Sequence, residues 1–258
     1  MMIMKIVINI LCLFISISVF CQSKAGKKFP AKNIQKTVSK KPDGVAKPNP
    51  DLLVLNEDIP VLIPQKKEGK FGYVNQKGKF VIKPEYHIAV FFYEDCNLLN
   101  SSNEKVKKFG TEQYATVEKD MVSYRIDQNG KRVYQYKDSD LGKCPREFKS
   151  QQYQAYVKNG FYGIIEKAKF MNAEDYRDYK IYPQYEYLHI MEGKDVSNPM
   201  IIASKNDRFG VIDVNNNIII PFEYDDIKRN FSWMLGNMFE VSKDGKTYYY
   251  IDSHNKAY

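Results

Sequence analysis

Glu85 and Glu223 are the residues of this chain that come nearest to a catalytic pair. Hydrolysis of a glycosidic bond needs two carboxyl groups, one to protonate the leaving oxygen and one to act as nucleophile or base. Both glutamates, however, stand before a tyrosine at one recurring place in the sequence, and a third copy holds Gln184 there. A position that recurs and accepts an amide serves a local structural need, so no catalytic residue is expected. His87, His189 and His254 are isolated, without the His-x-x-x-His or Cys-x-x-Cys spacing of a metal site. Asp225-Asp226 lacks the alternating oxygen ligands and turn glycine of a calcium loop. The glycines follow neither the Walker nor the dinucleotide spacing. The expectation is no metal and no cofactor.

Cysteine and tyrosine are the other chemical resources. Cys96 and Cys144 either pair in an oxidising compartment or stay as two buried thiols, and sequence leaves both open. The chain has 20 Tyr and 15 Phe against one Trp. Tyrosine offers apolar area while its hydroxyl stays wet. Tyr86, Tyr185 and Tyr224 occupy equivalent positions and are expected to line one face of the molecule as evenly spaced contact points.

Short strands must position these residues. Phe209 to Val214 is a β-branched run, Asn215 to Asn217 tolerate the positive φ of a tight turn, and Ile218 to Ile220 return until Pro221, lacking an N–H, ends the ladder. Met200 to Ala203 adds a preceding strand. A three-stranded meander this small cannot bury its own apolar face, so it must stack on copies of itself. Lys70 to Tyr86 is such a copy, with Phe71-Gly72 and Pro84-Glu85-Tyr86 matching Phe209-Gly210 and Pro221 with Glu223-Tyr224. Tyr162-Gly163 and Pro183 mark a third, interrupted by an insertion in which Ala173 to Asp178 reads as a helical turn. Fainter copies lie at Tyr114 to Lys131 and Phe239 to Asp252, the last ending at Tyr258 where a terminal cap is expected. The fold class is all-β: a tandem array of about five antiparallel three-stranded meanders, over roughly 60–110, 111–150, 151–193, 199–231 and 236–258. A strand glycine gives up packing, so Gly72, Gly163 and Gly210 imply that something fills their empty face, and an aromatic ring from a neighbouring strand is the expected occupant.

An aromatic-Gly-x-Ile-Asp segment, a Gly-Lys or Asn-rich turn, an apolar triplet, then Pro and Glu-Tyr resembles the WG, or KWG, repeat family of bacterial and often exported proteins. Phe71, Tyr162 and Phe209 stand where that family usually has Trp, and Trp233 lies outside the motif. The resemblance implies a β-rich repeat array with a binding or scaffolding role and no catalytic residue.

The first 21 residues read as a signal peptide: Lys5, then an apolar run from Ile6 to Phe20 too short for a comfortable membrane span. Cleavage after Cys21 fits secretion or a periplasmic location; the alternative is an outer-membrane lipoprotein acylated at Cys21, for which Phe20 is a poor preceding residue. Residues 22–50 carry eight lysines, one aspartate and four prolines, the composition of a disordered linker. That linker and Lys5 account for the whole net charge of +8, leaving 51–258 neutral. A nucleic-acid reader would place its excess on the folded surface, so none is expected. The basic linker suits weak contact with an anionic surface. The expected function is an exported, non-enzymatic interaction or scaffold module at the cell envelope, binding a protein or an envelope polymer. Glycan recognition by the repeated tyrosines is the alternative, and a carbohydrate-active enzyme stands behind both.

Overall fold

Five antiparallel sheets form in the computed structural model, which describes residues 51–145, 149–172 and 176–258. The leader over 1–21, with both outcomes for Cys21, and the linker over 22–50 lie outside the described residues. The first meander is β1 (Leu62–Lys67), β2 (Lys70–Asn75) and β3 (Phe80–Tyr86). β4 (Ile88–Phe92) follows after one residue and joins the next sheet, ahead of β5 (Tyr114–Lys119), β6 (Val122–Asp127) and β7 (Arg132–Gln135). The third sheet is β8 (Tyr153–Lys158), β9 (Phe161–Glu166) and β10 (Tyr179–Tyr185). β11 (Tyr187–Ile190) then leads the fourth, with β12 (Ile201–Lys205), β13 (Arg208–Ile212) and β14 (Ile218–Tyr224). β15 (Asp226–Ile227) leads the fifth, with β16 (Phe239–Ser242) and β17 (Tyr249–Ile251). Three short helices, α1 (Cys96–Leu99), α2 (Glu104–Lys107) and α3 (Ser232–Gly236), lie in the connections. Of the helical turn expected at 173–178, Tyr176–Asp178 is a 3-10 turn, and 173–175 lie outside the described residues.

Local chemistry fixes both turns of a meander. The first hairpins close on residue pairs with positive φ: Glu68-Gly69, Asp120-Met121, Asn159-Gly160 and Asn206-Asp207. The second turns are held by one side chain that accepts from the backbone N–H groups two and four residues ahead. Asn75, Asp127, Asp213 and Asp252 each do this at 2.8–3.0 Å. The Asp of the sequence motif is thus a turn clamp.

Two expectations are corrected here. Pro221 does not end its strand: β14 continues to Tyr224, and β3 and β10 likewise run through Pro84 and Pro183. The ladder survives because the proline lies in a bulge. Phe71 and Tyr73 of β2 face Tyr86 and Ile82 of β3, so two steps on one strand oppose four on the other. The same register holds in the third and fourth meanders. The glycines face this bulge, with backbone alone against Gly72 and Gly163 and the expected aromatic ring present only at Gly210. A Cβ on Gly72 would sit 2.4 Å from the Ile82 carbonyl oxygen and 2.7 Å from the Pro84 nitrogen, and one on Gly163 would meet Ile181 and Pro183 at the same distances. On Gly210 the nearest atom is the Ile220 oxygen at 2.7 Å, and Cδ1 of the Phe222 ring follows at 3.1 Å. Aromatic-Gly and the proline two or three residues before the tyrosine are therefore two halves of one device. Meander two carries Tyr124 in place of the glycine and has no such four-for-two bulge.

Apolar contacts set the order of the meanders in space. One cluster joins the first to the second through Leu62, Tyr73 and Tyr86 against Ala115, Val117 and Ile126. Others join the third to the fourth and the fourth to the fifth. The fifth packs back on the first: Met238, Leu235 and Tyr250 meet Ile63, Val74 and Phe91. Tyr258, expected as an outer cap, is half-buried in this seam. The spatial order is accordingly two, one, five, four, three. Among the described residues no core cluster joins the second meander to the third.

Candidate functional site

The three tyrosines expected on a binding face are inside. Tyr86, Tyr185 and Tyr224 are 1 %, 4 % and 2 % exposed. Each ends a third strand, and its ring enters the core shared with the following meander. The Tyr185 hydroxyl donates to Asn216 at 2.6 Å and that of Tyr224 to Asn255 at 2.5 Å, both turn asparagines with positive φ. Burial pushes all three hydroxyls above the usual tyrosine range, so they stay protonated. These rings hold meanders together; exposure was expected because tyrosine suits a wet surface equally well.

The carboxylates are similarly engaged. Glu85 accepts from Lys119 at 2.6 Å, and Glu223 lies 3.3 Å from Lys243 and accepts from Asn255. The Asn255 and Lys243 contacts hold the Glu223 carboxyl below its usual range. Both glutamates thus tie their own meander to the hairpin of the next one. Asp225 pairs with Arg208, and Asp226 with Arg229 and Tyr248. His87 takes a bond from Lys70 at 2.5 Å. His189 is half-buried, and burial with the nearby Arg229 lowers its pKa below 6.5. Among the described residues no three His, Cys, Asp or Glu side chains converge as a metal site requires.

Cys96 and Cys144 form a disulfide, with Cα atoms 5.1 Å apart. It closes around a polar cluster that sequence reading passed over. Arg125 is fully buried and donates to the carbonyls of Tyr93, Thr111 and Tyr114 at 2.8–2.9 Å. It also donates to Thr116 Oγ1, which shares a 2.7 Å bond with the Tyr136 hydroxyl. Tyr136 in turn donates to Asp95 at 2.7 Å, and the other Asp95 oxygen caps α1. A buried guanidinium is costly unless its donors are met, and here both terminal nitrogens find acceptors while Nε has none. Arg125 therefore dictates the path of the long connection between β4 and β5. The signal was available: Arg125 stands where the other meanders have Tyr73, Ile164, Val211 and Tyr250.

Above this connection opens a cavity of about 400 Å³, lined by Phe92, Glu94, Glu112, Lys149, Glu192 and Leu235 among others. Its walls come from the ends of β4 and β11 and from α3. The lining carries both signs of charge on an apolar floor, a surface that suits contact. The lone tryptophan serves packing: Trp233 stacks on Phe239 with ring centroids 4.9 Å apart.

No curated protein and no solved structure matches this chain. A family model described as WG containing repeat matches residues 71–96 and 209–246. Both matches start at the aromatic-Gly pair and run through the bulge into the strand that crosses to the next sheet. The recognised pattern is thus the crossing as much as the meander, and in these two stretches the chain is similar to the WG repeat proteins.

Proposed function

We propose that this β-repeat protein is an exported, non-enzymatic interaction module of the cell envelope. One observation carries the reading: exposed large apolar side chains gather on the third meander. Val157, Phe161, Phe170, Met171 and Tyr182 all lie open there. Phe170 and Tyr182 are linked by a run of ring contacts through Tyr156 and Tyr179. Apolar side chains collected in this way are typical of contact surfaces for other proteins. The disulfide supports export, since such bonds persist in oxidising compartments. Glu85 and Glu223, the nearest approach to a hydrolytic pair, are engaged in contacts between meanders.

Crosslinking of the full chain in envelope preparations tests the reading. Wild type should yield defined protein adducts, and Phe170→Asp with Met171→Asp should lose them. Hydrolysis of a chromogenic glycoside, abolished by Glu223→Gln, would replace the proposal with an enzyme. Sugar-specific retention on a glycan array, with no protein adduct, would replace it with a lectin.

A further inference from the structure

In three of the sheets the first strand of the meander is covered, because the preceding third strand crosses over onto it: β4 on β5, β11 on β12, β15 on β16. Each crossing begins with the same bond. The amide of the residue after the tyrosine, His87, Glu186 or Asp225, donates to the carbonyl of Glu118, Ser204 or Ser242. β1 and β8 receive no such strand. Counted back from their hairpin turns, the two align Pro64 with Ala155 and Lys66 with Val157. Pro64 is buried and has no N–H to offer, a common way to blunt an edge. β8 has neither a covering strand nor a proline.

The Asn159-Gly160 turn decides which groups of β8 face outward. Lys158 and Phe161 close the hairpin, so the N–H and C=O groups of Val157, Ala155 and Tyr153 point away from β9. Among the described residues no backbone hydrogen bond meets them, and Val157 is 52 % exposed. The third strands β3, β10 and β14 present edges broken by a bulge and a proline. The edge of β8 is unbroken in register and open, with Ala155 and Val157 exposed along it.

We propose that the outer edge of β8 is a strand-addition site for an extended segment of another protein. The occupant's chemistry follows from the strands that fill the equivalent edges, Ile88-Ala-Val-Phe-Phe92 and Tyr187-Leu-His-Ile190. It is four or five residues long, with apolar or aromatic side chains at alternate positions. Among the described residues no crossing strand is left to fill it, because β4, β11 and β15 are all committed to their own sheets, and the occupant is assigned to another protein. The proposal rests on the interaction-module reading and names its surface.

A fluorescein-labelled peptide with the sequence of residues 185–191 serves as the probe, titrated into the full chain and followed by anisotropy. Saturable binding is expected, with the amides of Ala155 and Val157 slowed in hydrogen exchange. Ala155→Pro copies the edge of β1 and should weaken binding roughly tenfold or more, the loss of one or two edge hydrogen bonds, with an unchanged melting temperature. Peptide N-methylated at the residue matching Glu186 should fail against wild type, which tests the edge without touching the protein. Equal binding of both peptides, or no saturable binding, overturns the proposal. A concentration-dependent dimer in sedimentation that Ala155→Pro abolishes would assign the edge to a second copy and overturn the external partner. In the envelope crosslinking experiment, adducts unchanged by Ala155→Pro would sink this site alone; absence of adducts from wild type would sink the module reading.

Discussion

Meanders one and two are neighbours in sequence and share one core, yet they leave their third strands differently. In the first, the chain passes Gly72, the Pro84 bulge and Tyr86, then crosses into the next sheet as β4. In the second, Tyr136 is the counterpart of Tyr86, since its amide pairs with Ser123 as Tyr86 pairs with Phe71. Its strand has no glycine opposite and no double bulge, and the chain turns into a 3-10 segment at Asp138–Asp140. The Tyr136 hydroxyl reaches back to Asp95 in its own meander, whereas that of Tyr224 reaches forward to Asn255 in the next. The meander itself evidently needs neither glycine nor proline. What they provide is the bend that sends a strand on to cover its neighbour, and where they are missing the array breaks between the second and third meanders.

Before that break a covalent bond ties the chain leaving the second meander back to the connection between β4 and β5 of the same sheet. Replacing Cys96 and Cys144 together by Ser should give the largest effect, a loss of about 4 kcal/mol from reopening a 48-residue separation, as a urea midpoint would report. An unchanged midpoint would mean that the Arg125 cluster alone holds the connection. The second effect belongs to the crossing side. Gly72→Ala drives a Cβ against the Ile82 carbonyl and Pro84 nitrogen, which are backbone and cannot swing away. It should cost about 1–3 kcal/mol. If the variant melts with wild type, the bulge is soft and the glycine serves something else. Third, Tyr224→Phe removes the hydroxyl that spans the fourth and fifth meanders and should cost about 1 kcal/mol. An equal cost for Tyr136→Phe would show that the direction in which the hydroxyl reaches carries no weight.

The sequence made the meanders legible because strands and turns are local. Alternation, Asn-Gly pairs and the recurring Asp each act within a few residues. The aromatic-Gly and Pro-Glu-Tyr signatures were also visible, but as two separate features; their union depends on a register in which four residues face two. Tyr86 could not be placed inside or outside from its type, since a ring with one wet end suits either setting. Arg125 was readable in principle as a charge at an apolar repeat position, and was lost because meander two matches the repeat poorly. The contact of the fifth meander with the first has no local signature. It arises from Met238 and Tyr250 meeting Ile63 and Phe91 across almost the whole described chain.

The weakest expected effect tests the crossing at β11. His189 sits on this strand opposite Ile202, where burial and then the charge of Arg229 disfavour its protonated form, while Glu192 nearby favours it. The folded-state pKa lies below 6.5, so as the pH falls the unfolded chain takes up a proton that the folded chain still refuses. Stability from this residue is therefore complete above the unfolded value and declines as the pH drops through it toward the folded one. Urea midpoints of wild type measured at about pH 7.5 and 5.5 should differ more than those of His189→Gln over the same interval, a window set by the ordinary histidine value. If both proteins show the same slope, β11 opens to water readily, and the crossings would be looser than the disulfide-tied second meander they are compared with.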